Sequence, residues 1–165
     1  MGNGKVIIGI DPGKTGAACI IYDNKVRSII CFSGYLKNDN WVELIIRLQE
    51  EFEDANIIVL ERSHSFPKQG VAASFNYGVT YGILKGLCLK LLSEYLLASN
   101  FKNPVPSVWM KDLGLIKKGG KRKGDKTDNI KRACKFFPGL KKETKTYQKE
   151  VADAVLLAFW GRDKK

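Results

Sequence analysis

An early pair of apolar runs limits the folds open to this chain. The stretch VIIGIDPGKTGAACIIYDNK, which begins at Val6, holds two such runs separated by a glycine-rich turn. Short unbroken apolar runs are typical of buried strands, and DNK after the second run is typical of a tight hairpin. We therefore predict neighbouring buried strands, the first of which ends in a carboxylate, Asp11.

Three further patterns extend this sheet. KVRSIICFS predicts a third strand, and NIIVLE predicts a fourth buried strand that also ends in a carboxylate, Glu61. Between them, NWVELIIRLQEEFED has the apolar spacing of a helix, which either Asp39 or Asn40 can cap. A helix in this place is a crossover, so strand four is expected to pair in parallel beside strand one.

The second half of the chain is predicted to add helices and one short strand. A long helix from about Val71 to about Leu97 is followed by a strand at NPVPS, and Ser107 is expected to cap a small helix over VWMKDLGL. Further helices lie at TDNIKRACKFF and within KKETKTYQKEVADAVLLAFWG. Residues 1–165 are thus expected to form a single α/β domain. Its mixed five-stranded sheet combines a three-stranded antiparallel meander with parallel strands, and helices flank it.

Positive charge is concentrated in the last part of the chain. The formal net charge is +11. Residues 1–100 carry ten basic and ten acidic residues, whereas residues 101–165 carry eighteen basic residues against seven acidic ones. A one-sided basic region attracts a polyanion, which predicts a nucleic-acid partner. The alternative is a solvated basic face that only keeps the protein soluble.

The chain is expected to be intracellular. No apolar run reaches the length of a membrane span, and the first strand begins too early to leave room for a signal peptide. Four cysteines are scattered through apolar segments without metal-binding spacing, which predicts reduced, mostly buried thiols and no structural zinc. The cytoplasm of a host or bacterial cell is the expected compartment, with nucleus and organelle left open.

Four acids are candidates for one metal site. Parallel strands lie about 4.8 Å apart, so Asp11 and Glu61 are expected to face one another at the carboxyl edge of the sheet. Glu150 and Asp153 share one face at the head of an otherwise apolar last helix, although an acid near a helix N-terminus is also favourable by itself. Oxygen ligands suit Mg²⁺ or Mn²⁺, and two such ions about 4 Å apart catalyse phosphodiester hydrolysis.

Two other features leave alternatives open. His64, the lone histidine, lies in the loop HSFPKQG, where it can act as a base, contact a phosphate or simply be solvated. Gly78, Gly82 and Gly86 recur every four residues and so share one helical face. Glycine costs about 1 kcal/mol in a helix, which indicates close packing either on the protein's own sheet or on a second copy of the helix.

The motifs resemble a known family. IGIDPGKTGAA, IIVLERSHSF, GDKTDNIKRA and KEVADAVLLA, in this order, are similar to RuvC-type Holliday-junction resolvases of the ribonuclease-H-like (retroviral-integrase) superfamily. ASFNYGVTYGILKG and VPSVWMKDLGL resemble the phage and plant-organelle branches. The resemblance implies a ribonuclease-H-like fold. It also implies a homodimeric, Mg²⁺-dependent endonuclease that makes paired, symmetric cuts in four-way DNA junctions during recombination and repair.

The resemblance also implies roles for individual residues. Two Mg²⁺ ions, with Mn²⁺ as a substitute, would be held by Asp11, Glu61, Glu150 and Asp153, where Glu150 replaces the family's usual aspartate. The long helix with Gly78, Gly82 and Gly86 would join the two subunits. DNA would be contacted by Lys126 near the scissile phosphate, by His64 or Phe66 at the crossover, and along the backbone by Lys14, Lys68, Lys117, Lys118, Lys121, Arg122 and Lys123.

Three rival functions are considered. Another nuclease of the same fold would cut an RNA–DNA hybrid or a different branched DNA. A sugar-kinase or actin-like ATPase also opens with an Asp-Gly-rich hairpin, but it needs a duplicated second domain that 165 residues cannot hold. A non-catalytic junction-binding module would not need acids at all four positions.

Overall fold

The computed structural model describes residues 4–62, 70–95, 100–116 and 126–164, apart from the side chains of residues 92–95 and of Lys126. None of the helices in these ranges combines enough length with enough apolar character to span a membrane. The elements in chain order are β1 (Val6–Asp11), β2 (Ala17–Tyr22), β3 (Lys25–Cys31), α1 (Ser33–Leu36), α2 (Trp41–Phe52), β4 (Ile57–Leu60), α3 (Val71–Tyr95), β5 (Phe101–Lys102), α4 (Pro106–Asp112), α5 (Lys126–Phe136), a 3₁₀ helix (Pro138–Lys142) and α6 (Lys145–Arg162).

The sheet has the predicted topology. Its five strands are ordered β3-β2-β1-β4-β5. Strand β2 pairs antiparallel with β1 and with β3, whereas β4 pairs in parallel with β1 and with β5. The α/β class and the mixed five-stranded sheet flanked by helices, in a ribonuclease-H-like arrangement, are therefore confirmed.

Short polar residues close the meander as the sequence predicts. Asp23 and Asn24 join β2 to β3 with φ angles of 48° and 65°, in the left-handed region that Asp and Asn tolerate. Of the two candidate caps for α2, Asn40 is the one in place, since its side-chain oxygen accepts a hydrogen bond from the Glu43 N–H. These local signals depend only on neighbouring residues, which is why the sequence predicts them.

The strand predicted at NPVPS and the cap at Ser107 are wrong. Strand β5 covers Phe101–Lys102, and α4 already begins at Pro106 after Val105, without a side-chain cap. Proline has no N–H to donate to a ladder, so two prolines exclude NPVPS as a regular strand. Asn103 leaves the sheet and donates its side-chain N–H to the Leu60 carbonyl at 2.7 Å, which ties this segment to the end of β4.

Both faces of the sheet are buried. Ile8, Ile10 and Ile58 belong to an apolar cluster with α2 and α3, whereas Ile7 and Val59 belong to a second cluster with α6. Side chains alternate between the faces of a strand, so this partition also determines where the residues at the strand ends point.

Glycine allows α6 to lie directly against β1. A Cβ atom at Gly9 would come within 3.0 Å of backbone atoms of Ala154 and Ala158. One at Gly161 would come within 3.0 Å of the Val59 side chain. Helix α6 therefore runs antiparallel to β1, and its middle turns lie level with the carboxyl half of that strand.

Candidate active site

Asp11 and Glu61 lie side by side at the carboxyl edge of the sheet. Ile10 is in register with Leu60, and the Glu61 N–H donates to the Ile10 carbonyl at 3.0 Å. Asp11 and Glu61 lie on the same face of the sheet as Gly9 and Val59, because side chains alternate between the two faces along a strand. Both acids are therefore on the face that α6 covers. The structure thus brings together the first two predicted ligands, on neighbouring strands.

The glycine-rich turn after β1 folds back on Asp11. The Gly13 N–H donates to the Asp11 carboxylate at 3.2 Å, and the Gly16 N–H closes the turn on the Gly13 carbonyl at 2.8 Å. A Cβ at Gly16 would come within 3.0 Å of the Asp11 carbonyl. The turn therefore needs glycine to approach the strand end closely, and in this way it orients the carboxylate.

A buried tryptophan orients Glu61. Glu61 is buried, and the fully buried Trp109 on α4 donates its indole N–H to one carboxylate oxygen at 2.8 Å. Trp109 was not among the residues predicted from the sequence. The chemistry of tryptophan offered a signal, because a buried indole N–H needs a hydrogen-bond acceptor.

A buried amide orients Asp153 in the same way. Asp153 lies in the middle of α6, which begins at Lys145, so its predicted place at the head of the helix is wrong. It is 9% exposed and accepts a hydrogen bond of 2.5 Å from the side chain of Asn129, which is 1% exposed. Asn129 on α5 was also missed. It stands four residues before the buried Ala133, on the apolar face of an amphipathic helix, and a polar residue in that place signals a buried partner.

Three of the carboxylates act on one phenol. Tyr77 on α3 is half-buried, and burial is the main cause that raises its pKa above the ordinary value. The negative charges of Asp11, Glu61 and Asp153 raise this pKa further. Carboxylates from β1, the end of β4 and α6 therefore all act electrostatically on Tyr77, a residue that was not predicted from the sequence.

Glu150 acts electrostatically on the end of β3. It is half-buried on α6, and its negative charge adds to burial in raising the pKa of Cys31 to about 11. Cys31 ends β3, which is separated from β1 by β2. Of the four predicted ligands, Glu150 is thus the one that acts on Cys31, and its extra methylene gives it a longer reach than the family's aspartate.

The donor chemistry of this edge fits Mg²⁺. Within the described ranges, no three acidic, histidine or cysteine side chains come close enough together to hold a metal ion by themselves. Mg²⁺ does not need such a cage, because it is usually bound by one or two carboxylates together with water and substrate phosphates. Asp11 and Glu61 provide such a pair, and Asp153 faces the same region.

Sequence comparison adds no family to this geometry. No protein-family model matches the chain, and no curated protein sequence matches it. The resemblance carried by the motifs therefore stays a prediction.

Most of the predicted DNA contacts fall outside the described part of the chain. Lys14 is exposed in the turn between β1 and β2, where it lines a cavity of about 150 Å³ with Asp39, Trp41 and Asn76. Lys126 begins α5, but its side chain is not described. The other predicted contacts lie outside the described residues: His64, Phe66, Lys68, Lys117, Lys118, Lys121, Arg122 and Lys123.

The glycine face of α3 does not pack on the sheet. Added Cβ atoms at Gly78, Gly82 and Gly86 would meet no heavy atom of the described residues within 4 Å. The opposite face of α3 supplies Leu84 and Cys88 to the core. Packing of the glycines on the protein's own sheet is therefore wrong for the described part of the chain. The open face is continued by exposed apolar residues, which are Val71, Phe75, Val79 and Leu89.

Proposed function

We propose that this protein is a RuvC-type, structure-selective endodeoxyribonuclease that resolves four-way DNA junctions by Mg²⁺-dependent phosphodiester hydrolysis. The observation that carries the proposal is the parallel pairing of β1 with β4, which puts Asp11 and Glu61 side by side at the carboxyl edge of the sheet, on the face covered by the helix that holds Asp153. A site rich in carboxylates on a chain of net charge +11 suits a polyanionic substrate whose phosphates meet bound cations.

The described residues have separate tasks in this chemistry. Asp11, Glu61 and Asp153, with Glu150 from the β3 side, are the proposed Mg²⁺ ligands. Two ions held by these residues would supply positive charge for an in-line displacement at a phosphodiester. Trp109 and Asn129 hold the Glu61 and Asp153 carboxylates in fixed orientations, as partners of metal ligands commonly do.

The proposed enzyme acts as a homodimer joined through α3. A four-way junction is roughly two-fold symmetric, so a dyad places two sites on opposed strands. The open face with Gly78, Gly82 and Gly86 supports this proposal, because helices approach closely where side chains are absent and the flanking Phe75 is 69% exposed.

The test of function is cleavage of a synthetic four-way junction with each strand labelled in turn, with and without Mg²⁺. We expect paired nicks at symmetric positions in two opposed strands, only with the metal. Binding without metal is expected to fall steeply with salt, since phosphate contacts release counterions. Preferred cleavage of an RNA–DNA hybrid would favour the other nuclease function. Junction binding without cleavage would favour the binding module.

Replacing Trp109 by phenylalanine should weaken the metal site. The substitution keeps an aromatic ring in the core but leaves one oxygen of the buried Glu61 without its indole donor. We expect the cleavage rate to fall about 10- to 100-fold. The Mg²⁺ concentration needed for half-maximal cleavage should rise, and a Mg²⁺ titration of the cleavage rate measures both effects. Trp160→Phe is the matched control, because that indole donates to Asp112 at 2.9 Å. Equal effects of the two substitutions would contradict the role of Trp109.

A charge on the open face of α3 should separate the subunits. We expect Phe75→Glu to convert a dimer into a monomer, because it buries an unpaired carboxylate in the proposed interface. Sedimentation equilibrium measures the change. Val42→Glu is the control, since Val42 is 71% exposed on α2. A wild-type protein that is monomeric at all accessible concentrations would exclude the dimer.

A further inference from the structure

A groove outside the candidate active site runs between α5 and α6. It has a volume of about 670 Å³ and is closed at one end by the 3₁₀ helix. Its floor includes Ile130, which is half-buried, and Cys134, which is buried. Beyond the groove the two helices are joined by Phe136, which stacks on Phe159 with ring centroids 4.6 Å apart. The groove is thus a defined depression with an apolar floor.

Lysines stand on both rims of this groove. Lys131 and Lys135 lie one turn apart on α5, and Lys145 and Lys149 lie one turn apart on α6. Lys141 adds a fifth positive charge at the closed end, and none of the described lining residues is acidic. None of these lysines belongs to the DNA contacts that the sequence predicts. The groove therefore attracts a negatively charged partner.

The floor favours a peptide over a nucleic acid. Single-stranded nucleic acids bind basic grooves by stacking bases on aromatic side chains, and no described lining residue is aromatic. The amide N–H groups of Gln148 are not free to donate to base edges, because they already donate to the carbonyls of Leu140 and Glu143, at 3.0 and 2.9 Å. The volume lies within the range of pockets that enclose a small, mainly apolar group.

We propose that this groove, floored by Ile130 and Cys134 and rimmed by lysines, binds an acidic segment of a partner protein that carries an apolar anchor. The anchor occupies the floor, and acidic residues on either side of it pair with Lys131 and Lys135 on one rim and with Lys145 and Lys149 on the other. Apolar anchors in a groove supply most of the affinity, whereas the charges set orientation and partner choice. This proposal is independent of the nuclease activity.

Fluorescence anisotropy tests the proposal with the full-length protein and three probes. The first is a labelled peptide with a central Phe-Leu pair between two acidic triplets. The second replaces Phe-Leu by Ser-Ser at the same charge, and the third is a single-stranded oligonucleotide of equal charge. We expect the Phe-Leu peptide to bind at least about tenfold more tightly than either other probe.

Two variants locate the binding site. Lys135→Glu combined with Lys145→Glu is expected to weaken binding of the Phe-Leu peptide at least about tenfold. Ile130→Ser should weaken binding of the Phe-Leu peptide and leave the affinity for the Ser-Ser peptide unchanged. Lys142→Glu is the matched control, because Lys142 is exposed beside Lys141 but does not line the groove, and its effect should stay within about twofold.

Four results would overturn the proposal. Equal or tighter binding of the oligonucleotide, with the same dependence on Lys135 and Lys145, would make the groove a nucleic-acid surface. Equal binding of the two peptides would reduce the interaction to unspecific charge attraction. An equal loss in Lys142→Glu would remove the groove as the site, and so would the absence of any peptide binding.

Discussion

Replacing Asp11 by asparagine is expected to abolish junction cleavage while junction binding stays intact or becomes tighter. Asparagine keeps the shape of the side chain and an oxygen that can accept the Gly13 N–H, so the turn after β1 should fold unchanged. It removes the negative charge that a hard cation requires from its ligand. We expect the cleavage rate to fall on the order of a thousandfold or more.

The same change should favour binding for an electrostatic reason. Asp11 faces the region where the scissile phosphate is proposed to lie, and like charges repel when no cation separates them. Removing one carboxylate therefore lowers the cost of bringing DNA to the site in the absence of metal. Gel-shift titrations without Mg²⁺ measure the affinity, and single-turnover cleavage with Mg²⁺ measures the rate.

Asp23→Asn is the matched control for this experiment. Asp23 is exposed in the β2–β3 turn at a φ of 48°, which asparagine also tolerates, so neither cleavage nor binding should change. Ordinary cleavage by the Asp11→Asn protein would remove Asp11 from the catalytic site. If the Asp11→Asn protein lost junction binding as well as cleavage, the cause would be misfolding and not the loss of a catalytic carboxylate.

Replacing Gly9 by alanine is expected to destabilise the fold and separate the site residues. The new Cβ would come within 3.0 Å of backbone atoms of Ala154 and Ala158, and backbone atoms cannot move aside as a flexible side chain can. Helix α6 must shift away from β1, at a cost of about 3 kcal/mol. The melting temperature should fall by about 10 °C, and cleavage should fall with it because Asp153 moves with the helix.

Thermal unfolding by circular dichroism and the same cleavage assay, run well below the melting temperature, measure the two effects. Gly34→Ala is the matched control, since an added Cβ on α1 meets no heavy atom of the described residues within 4 Å. Alanine in that helix should leave stability unchanged or raise it by up to about 1 kcal/mol. An unchanged melting temperature in the Gly9→Ala protein would contradict the close packing of α6 on β1.

The sequence predicts the sheet well because its strands carry their own signals. Strands β1 and β4 are buried on both faces and so appear as unbroken apolar runs, and the helix between them requires parallel pairing. Parallel neighbours end at one edge, so the proximity of Asp11 and Glu61 follows from topology. The Asp23–Asn24 turn and the Asn40 cap are equally local, and both are confirmed.

The partners that orient the acids could not be predicted in this way. Trp109 is 48 residues from Glu61, and Asn129 is 24 residues from Asp153. Such contacts depend on how α4 and α5 pack against the sheet, and helical periodicity says nothing about that packing. The sequence shows that a polar residue lies on the buried face of a helix, but it does not show which residue is its hydrogen-bond partner.

The difference is sharpest on α6. The sequence by itself placed Glu150 and Asp153 on one face of the last helix, because residues three apart on a helix are neighbours. Only the tertiary structure decided that Asp153 acts on Tyr77 together with Asp11 and Glu61, whereas Glu150 acts on Cys31. The physical reason is the contact at Gly9, where the absence of a side chain sets the depth and rotation of the helix against the sheet.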